Sequence, residues 1–233
     1  MAEAIYNLAI ETSSRRGGVT LGRGDEVIES VDLGAQQRHA VALMPAIEDV
    51  CARHAVTPSA IGEIYVSVGP GSFTGLRIGI TTAKTLAHVT GAKLVAVPTL
   101  DVVVENALLP EVGGYTHVAV CLAAKRGQCF TGLYQRSEDR WQRVIDPTLM
   151  TPAQLVEQAP RPLAVVGDNL PPFDWPGDVD CLDPSLAEPD SAVTWRLGRS
   201  AAKADRFVEA MALVPLYIRL PEAEEVWQAR QSQ

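Results

Sequence analysis

A duplicated α/β fold with a mixed sheet in each half is what this 233-residue sequence predicts. The order strand-strand-strand-helix-strand can be read twice along the chain. An apolar run, Ile64–Val68, stops at Gly69-Pro70-Gly71, and a helical pattern opens directly beyond it, as at a strand-to-helix turn. A hydrophobic content of 47% at this length is enough to bury a substantial core, as one large domain or two small ones.

The first pass begins with strands at Tyr6–Ile10, Gly18–Arg23 and Glu26–Leu33. They are joined by the turn-rich segments Ser13-Ser14-Arg15-Arg16-Gly17 and Gly24-Asp25. Val41, Met44, Ile47, Cys51 and His54 then recur at spacings of three and four, which predicts a helix from about His39 to His54. Pro45 inside it is expected to kink it or loosen its first turns. The strand Ile64–Val68, a helix over Phe73–Val89, the strand Leu94–Val97 and a helix over Thr99–Leu108 complete this half.

The second pass places strands at His117–Leu122, Gln128–Tyr134 and Trp141–Ile145. A helix starts at Thr151-Pro152, where threonine can cap and proline suits the first helical position, and a strand follows at Leu163–Val166. Pro160–Pro189 reads mostly as loop. A helix at Ser191–Lys203 and an extended Val214–Leu220 close the chain. The expected division is 1–108 and 109–233, the latter degenerate. Three meander strands followed by alternating helix and strand, twice over, is the layout of the actin, sugar-kinase and Hsp70 ATPase group, whose halves are ribonuclease H-like. That analogy concerns fold and establishes no activity.

Composition narrows the functional classes. A formal net charge of −8 repels phosphate backbones, so a direct nucleic-acid grip would need basic surface from a partner. No apolar run reaches membrane-spanning length and no secretory leader is visible, so a cytoplasmic protein is expected. The four cysteines, Cys51, Cys121, Cys129 and Cys181, show no C-x-x-C spacing and read as reduced core residues; Cys121 and Cys129 could approach across a hairpin.

The turn at Gly69–Gly71 is neither a phosphate loop, since Leu76-Arg77 stands where Lys-Ser/Thr is required, nor a dinucleotide fingerprint, since Thr74 occupies the third glycine position. Beyond it, Gly75, Gly79, Ala83 and Ala87 recur every fourth residue and give the helix a nearly bare stripe. Either the stripe admits another chain's backbone, together with Met44, Ile47 and Cys51 of the Pro45-containing helix, or it faces this chain's own sheet.

Three segments resemble the TsaB family of tRNA threonylcarbamoyladenosine biosynthesis proteins. They are Ile10-Glu11-Thr12-Ser13, the nine residues Gly69-Pro70-Gly71-Ser72-Phe73-Thr74-Gly75-Leu76-Arg77, and Pro215-Leu216-Tyr217-Ile218-Arg219 with the later Trp227. In the second-half hairpin the chain departs from that pattern, with Ala123-Ala124-Lys125 where Asp-Ala-Arg is common, and with Gln128 and Phe130 beyond. The resemblance implies a non-catalytic relative of TsaD that binds TsaD as a heterodimer and supports threonylcarbamoyl transfer to adenosine 37 of tRNA. TsaE would join the assembly, tRNA would be met only indirectly, and the chain could pair with itself when TsaD is absent.

A self-sufficient actin-like ATPase or small-molecule kinase is the competing reading. Glu11 stands where such a fold holds Mg²⁺ through water, with Thr12 and Ser13 as phosphate donors. The preferred reading of Glu11 is a strand-end acid satisfied by neighbouring N–H groups. Only Val166-Gly167-Asp168-Asn169 offers a second-half glycine turn, so no cofactor of its own is expected, and ATP or ADP only within the assembly. His39, His54, His88 and His117 form no H-x-x-x-H pair, so no metal site is expected.

Overall fold

The computed structural model describes residues 5–34, 39–108, 114–138 and 140–218. In the first half, β1 (Tyr6–Glu11), β2 (Gly18–Arg23), β3 (Glu26–Asp32), β4 (Ile61–Gly69) and β5 (Lys93–Pro98) form a sheet of order β3-β2-β1-β4-β5. β1 runs antiparallel to β2 and parallel to β4, and β4 runs parallel to β5. In the second half, β6 (His117–Ala123), β7 (Cys129–Ser137), β8 (Arg140–Met150), β9 (Leu163–Asp168) and β10 (Val179–Cys181) are ordered β8-β7-β6-β9-β10. Two hairpin-linked antiparallel pairs and two parallel neighbours recur position for position, so the duplicated architecture is present.

Alternation along β1 assigns its two faces. Leu8 and Ile10 enter a core with α1 (His39–Arg53) and α2 (Phe73–Thr90). Ala9 turns to the opposite side, where Trp195 of α5 (Ser191–Lys203) packs, and the Trp195 indole N–H donates to the Asn7 side-chain oxygen at 2.5 Å. α3 (Thr99–Val104) lies between the halves, with Val102 in that second core and Leu100 and Val103 against β6 and β9. α4 (Pro152–Gln158) covers the other face of the second sheet.

The division at 108/109 separates the sheets but not their coverings. α5 follows it in sequence and packs on β1, β2, β4 and β5. The chain then stays with the first half: the Val208 N–H donates to the Leu94 carbonyl at 2.9 Å and the Leu216 N–H to the Val68 carbonyl at 2.7 Å. Residues 191–218 therefore belong structurally to the first unit.

The second half is degenerate in a specific way. α2, 18 residues long, joins β4 to β5, whereas no helix joins β9 to β10 and β10 has only three residues. β10 and a short 3₁₀ turn, Pro184–Ala187, lie in the stretch expected to be mostly loop. β8 extends well past the expected Ile145, because Pro147 sits at an irregularity in the β7–β8 register on a sheet edge, where its missing N–H breaks no ladder. Pro45 likewise does not end α1; it lies on the exposed face of an unbroken helix.

Caps mark several helix ends. The Ser72 side chain accepts from the Gly75 N–H at 3.2 Å, and Gly91, at φ 78°, takes the left-handed conformation that closes α2. Thr151 and Gln154 form a reciprocal capping box at the start of α4. Thr151→Ala is expected to cost about 1 kcal/mol, read as a lower denaturation midpoint at constant slope.

Candidate functional site

A cleft of about 670 Å³ opens between the halves. One wall is the loop after β1 and the first residues before α2, Gly71 and Ser72. The other is formed by Leu122, Ala123, Phe130, Asp168 and the 184–189 segment, with Thr99 between them. Ser13 of the candidate Glu11-Thr12-Ser13 loop borders this cleft, so the state of that loop decides what chemistry it can offer there.

That loop is turned inward. Glu11 has the same strand parity as Asn7 and Ala9 and faces α5, with no solvent exposure. One carboxylate oxygen accepts from the Ser13 N–H at 2.7 Å, the Ser13 hydroxyl at 2.6 Å and the Ser67 hydroxyl at 2.9 Å. The other accepts from the Thr194 hydroxyl at 2.9 Å. Burial pushes the carboxyl's pKa above its ordinary value, and the donors from Ser13, Ser67 and Thr194 oppose that shift. Thr12 donates its hydroxyl to the Gly75 carbonyl at 2.9 Å, and the Ser13 carbonyl accepts from the Ser72 N–H at 2.6 Å. The three candidate residues are held together, but their polar atoms tie the loop to α2, β4 and α5, and of the three only Ser13 borders the cleft.

Several other polar groups around the cleft are engaged, although the buried Thr99 hydroxyl has no hydrogen-bond partner among the described residues. Asp168 accepts from the Ala123 N–H at 3.1 Å, and Arg16 is ion-paired with Asp32 at 2.5 Å. The Ser14 hydroxyl meets Glu188 at 3.1 Å, linking the two walls. Among the described residues, no three His, Cys, Asp or Glu side chains group as metal ligands would. His39 contacts the Ser14 carbonyl and His54 pairs with Glu29. Ser67 and Thr194 are the two partners that sequence reading missed. Ser67 was visible as the only aliphatic hydroxyl in the Ile64–Val68 run, whereas nothing in the sequence brings Thr194 to residue 11.

The bare stripe of α2 is internal. Gly75, Gly79, Ala83 and Ala87 are all buried, and a Cβ on Gly75 would overlap the Thr12 carbonyl oxygen, one on Gly79 the Thr12 hydroxyl. The stripe seats α2 on the end of β1, which corrects its reading as a surface for another chain. Ile47 and Cys51 are also core residues. Of the seven residues considered for an interface only Met44 is exposed, at 48%, beside Val41 on α1 and with Val89 and Phe73 on α2 also exposed.

The second and third of the family-like segments meet in space. The Arg77 Nε donates to the Tyr217 hydroxyl at 3.0 Å, the Phe73 and Tyr217 rings lie 5.6 Å apart, and the Arg77 guanidinium sits 3.8 Å from the Phe73 centroid. Arg219 and Trp227 lie outside the described residues.

Residues 33–173 match the family model described as TsaD, tRNA N6-adenosine threonylcarbamoyltransferase. The Bacillus subtilis tRNA threonylcarbamoyladenosine biosynthesis protein TsaB is 31% identical over 235 residues, covering 94% of this chain and 96% of its own. The Escherichia coli TsaB is 30% identical over 132 residues, or 57% of this chain and 56% of its own. A solved structure of YeaZ from Pseudomonas aeruginosa superposes with a TM-score of 0.74 at 25% identity, covering 91% of this chain and 99% of that one. With more than half of its length on the family model and a relative of near-equal extent at 31% identity, the chain belongs to the TsaB proteins of tRNA threonylcarbamoyladenosine biosynthesis, within the wider TsaD family.

Proposed function

We propose that this chain is a non-catalytic subunit that binds TsaD as a heterodimer and supports threonylcarbamoyl transfer to adenosine 37 of tRNA, working in the cytoplasm with TsaE in the assembly. The observation that carries the non-catalytic part is Glu11. A carboxylate that accepts four hydrogen bonds from its own protein, with no exposure, cannot orient water around a metal ion in the cleft. Nucleotide and metal chemistry are therefore assigned to the partners, and a net charge of −8 leaves tRNA contact to them as well. The competing ATPase or kinase reading needs a free acid at that position.

The surface proposed for TsaD, or for a second copy of this chain in its absence, is the outer face of α1 and α2. Val41, Met44 and Val89 are exposed there at 71%, 48% and 77%. Exposed apolar side chains grouped on a helix face mark a docking surface, which is assigned here to a protein partner. Modification activity is expected only when the purified chain is combined with its cognate TsaD and TsaE, and ATP turnover by the chain alone would overturn the reading. Val41→Glu with Met44→Glu should leave the melting temperature within about 2 °C, since surface changes stay near 0.5 kcal/mol. The same double variant should lose co-purification with TsaD. Normal melting with undiminished co-purification would move the interface elsewhere.

A further inference from the structure

The cleft between the halves holds an unpaired polar group and charges sorted by wall. Thr99 lies between the walls with 1% exposure, and its hydroxyl has no hydrogen-bond partner among the described residues. A buried hydroxyl without a partner is destabilising, and a ligand atom hydrogen-bonded to it would remove that cost. Arg15 and Arg16 stand on the first-half wall, Asp168 and Glu188 on the second. Arg16 is taken up by Asp32, whereas Arg15 is exposed and has no ion-pair partner among the described residues. Gly71 and Ser72 bring the positive N-terminal end of α2 to the wall that carries Arg15. Opposite, Asp168 accepts from the Ala123 N–H at 3.1 Å and the Asn169 amide at 3.4 Å, and Glu188 from the Ser14 hydroxyl at 3.1 Å. A carboxylate has about four acceptor sites, so both acids keep capacity for a cation.

We propose that this cleft binds a free α-amino acid. Its carboxylate lies at Arg15 and the end of α2, its ammonium at Asp168 and Glu188, and one of its polar atoms pairs with the Thr99 hydroxyl. A ligand with a single charge would meet its own sign on one wall, whereas a dipolar one is matched by both. Leu122 and Phe130 line the second wall and offer apolar surface to the ligand's side chain. Leucine and phenylalanine should therefore bind more tightly than glycine. A cleft of about 670 Å³ has room for each of them. None of these groups comes from TsaD, so the site stands independently of the docking face on α1 and α2.

Isothermal titration of the purified full chain with L-leucine, L-phenylalanine and glycine tests this, alongside melting curves. L-Leucine and L-phenylalanine are expected to bind and to raise the melting temperature. N-Acetyl-L-phenylalanine lacks the ammonium and L-phenylalaninamide the carboxylate, and each should bind about tenfold more weakly or worse. Arg15→Ala, at an exposed position, should fold normally and weaken binding by a similar factor. Thr99→Val is the sharper probe. With no partner to lose, the hydroxyl should be replaceable without lowering the melting temperature of the unliganded chain, while affinity falls about tenfold. A lower unliganded melting temperature would show the hydroxyl already satisfied and overturn the proposal. So would no binding of L-leucine or L-phenylalanine, equal binding of the two blocked derivatives, or undiminished binding by both variants.

Discussion

Ala83→Arg is expected to yield no soluble folded protein, whereas Val89→Arg on the same helix should fold and melt normally. Ala83 has no exposure and sits in the core that joins α1 and α2 to the first sheet. Overpacking costs about 1–3 kcal/mol, and a buried charge without a partner adds about 3–5. Their sum, about 4–8 kcal/mol, reaches the lower half of the roughly 5–15 kcal/mol that holds a domain together. Val89 is 77% exposed, so an arginine there is solvated. Gly79→Ala is a gentler probe of the same packing. Helix propensity alone favours alanine by about 1 kcal/mol, yet the added Cβ would overlap the Thr12 hydroxyl, so a net loss of stability is expected. Chemical denaturation of purified Gly79→Ala and Val89→Arg, with a solubility assay for Ala83→Arg, separates these outcomes. A soluble Ala83→Arg protein with unchanged melting would remove the internal packing of α2.

The location of that stripe shows where sequence reading ran out. Four-residue spacing of Gly75, Gly79, Ala83 and Ala87 correctly marks a helix face built for close approach. Spacing carries no information on whether the approaching backbone is another chain's or the chain's own β1. Strands and helices with clear periodicity were legible to within a few residues, because each local choice agrees with its fold. β10 was not legible: three residues in a Pro- and Asp-rich stretch have no periodicity to detect, and pairing with β9 alone makes them a strand. The return of α5 to the first sheet was equally invisible, since it depends on which apolar face accepts Trp195. The same contact brings Thr194 to Glu11 across 183 residues. A candidate phosphate loop was therefore readable in outline, while the group that closes it from inside was not.

Glu11 is where that closing can be measured. Glu11→Ala would strip the Ser13 N–H of its acceptor and leave the Ser13, Ser67 and Thr194 hydroxyls around a small void. The hydroxyls can turn to one another; the N–H cannot. About 1–3 kcal/mol follows from the unsatisfied donor and more from the cavity, for a total of about 2–5 kcal/mol. For a chain of this size that lowers the melting temperature by roughly 5–15 °C. Glu11→Gln should cost far less, because its carbonyl can keep the Ser13 N–H and its amide can donate to Thr194. The pH dependence has a definite sign. Burial raises the native carboxyl above its ordinary 4.5, so the folded chain holds this proton to higher pH than the unfolded one does. The linked stability is complete below 4.5 and is lost as pH climbs through the native value. Asp25, Glu29, Asp32 and Asp183 are shifted downward and act oppositely, but they are common to wild type and variant. The melting difference between wild type and Glu11→Gln should therefore move in the variant's favour as pH rises above 4.5. At a temperature where Glu11→Ala remains folded, the reconstituted tRNA modification should proceed close to the wild-type rate. A variant that melts normally but abolishes an ATPase activity of the purified chain would show that Glu11 reaches a nucleotide after all.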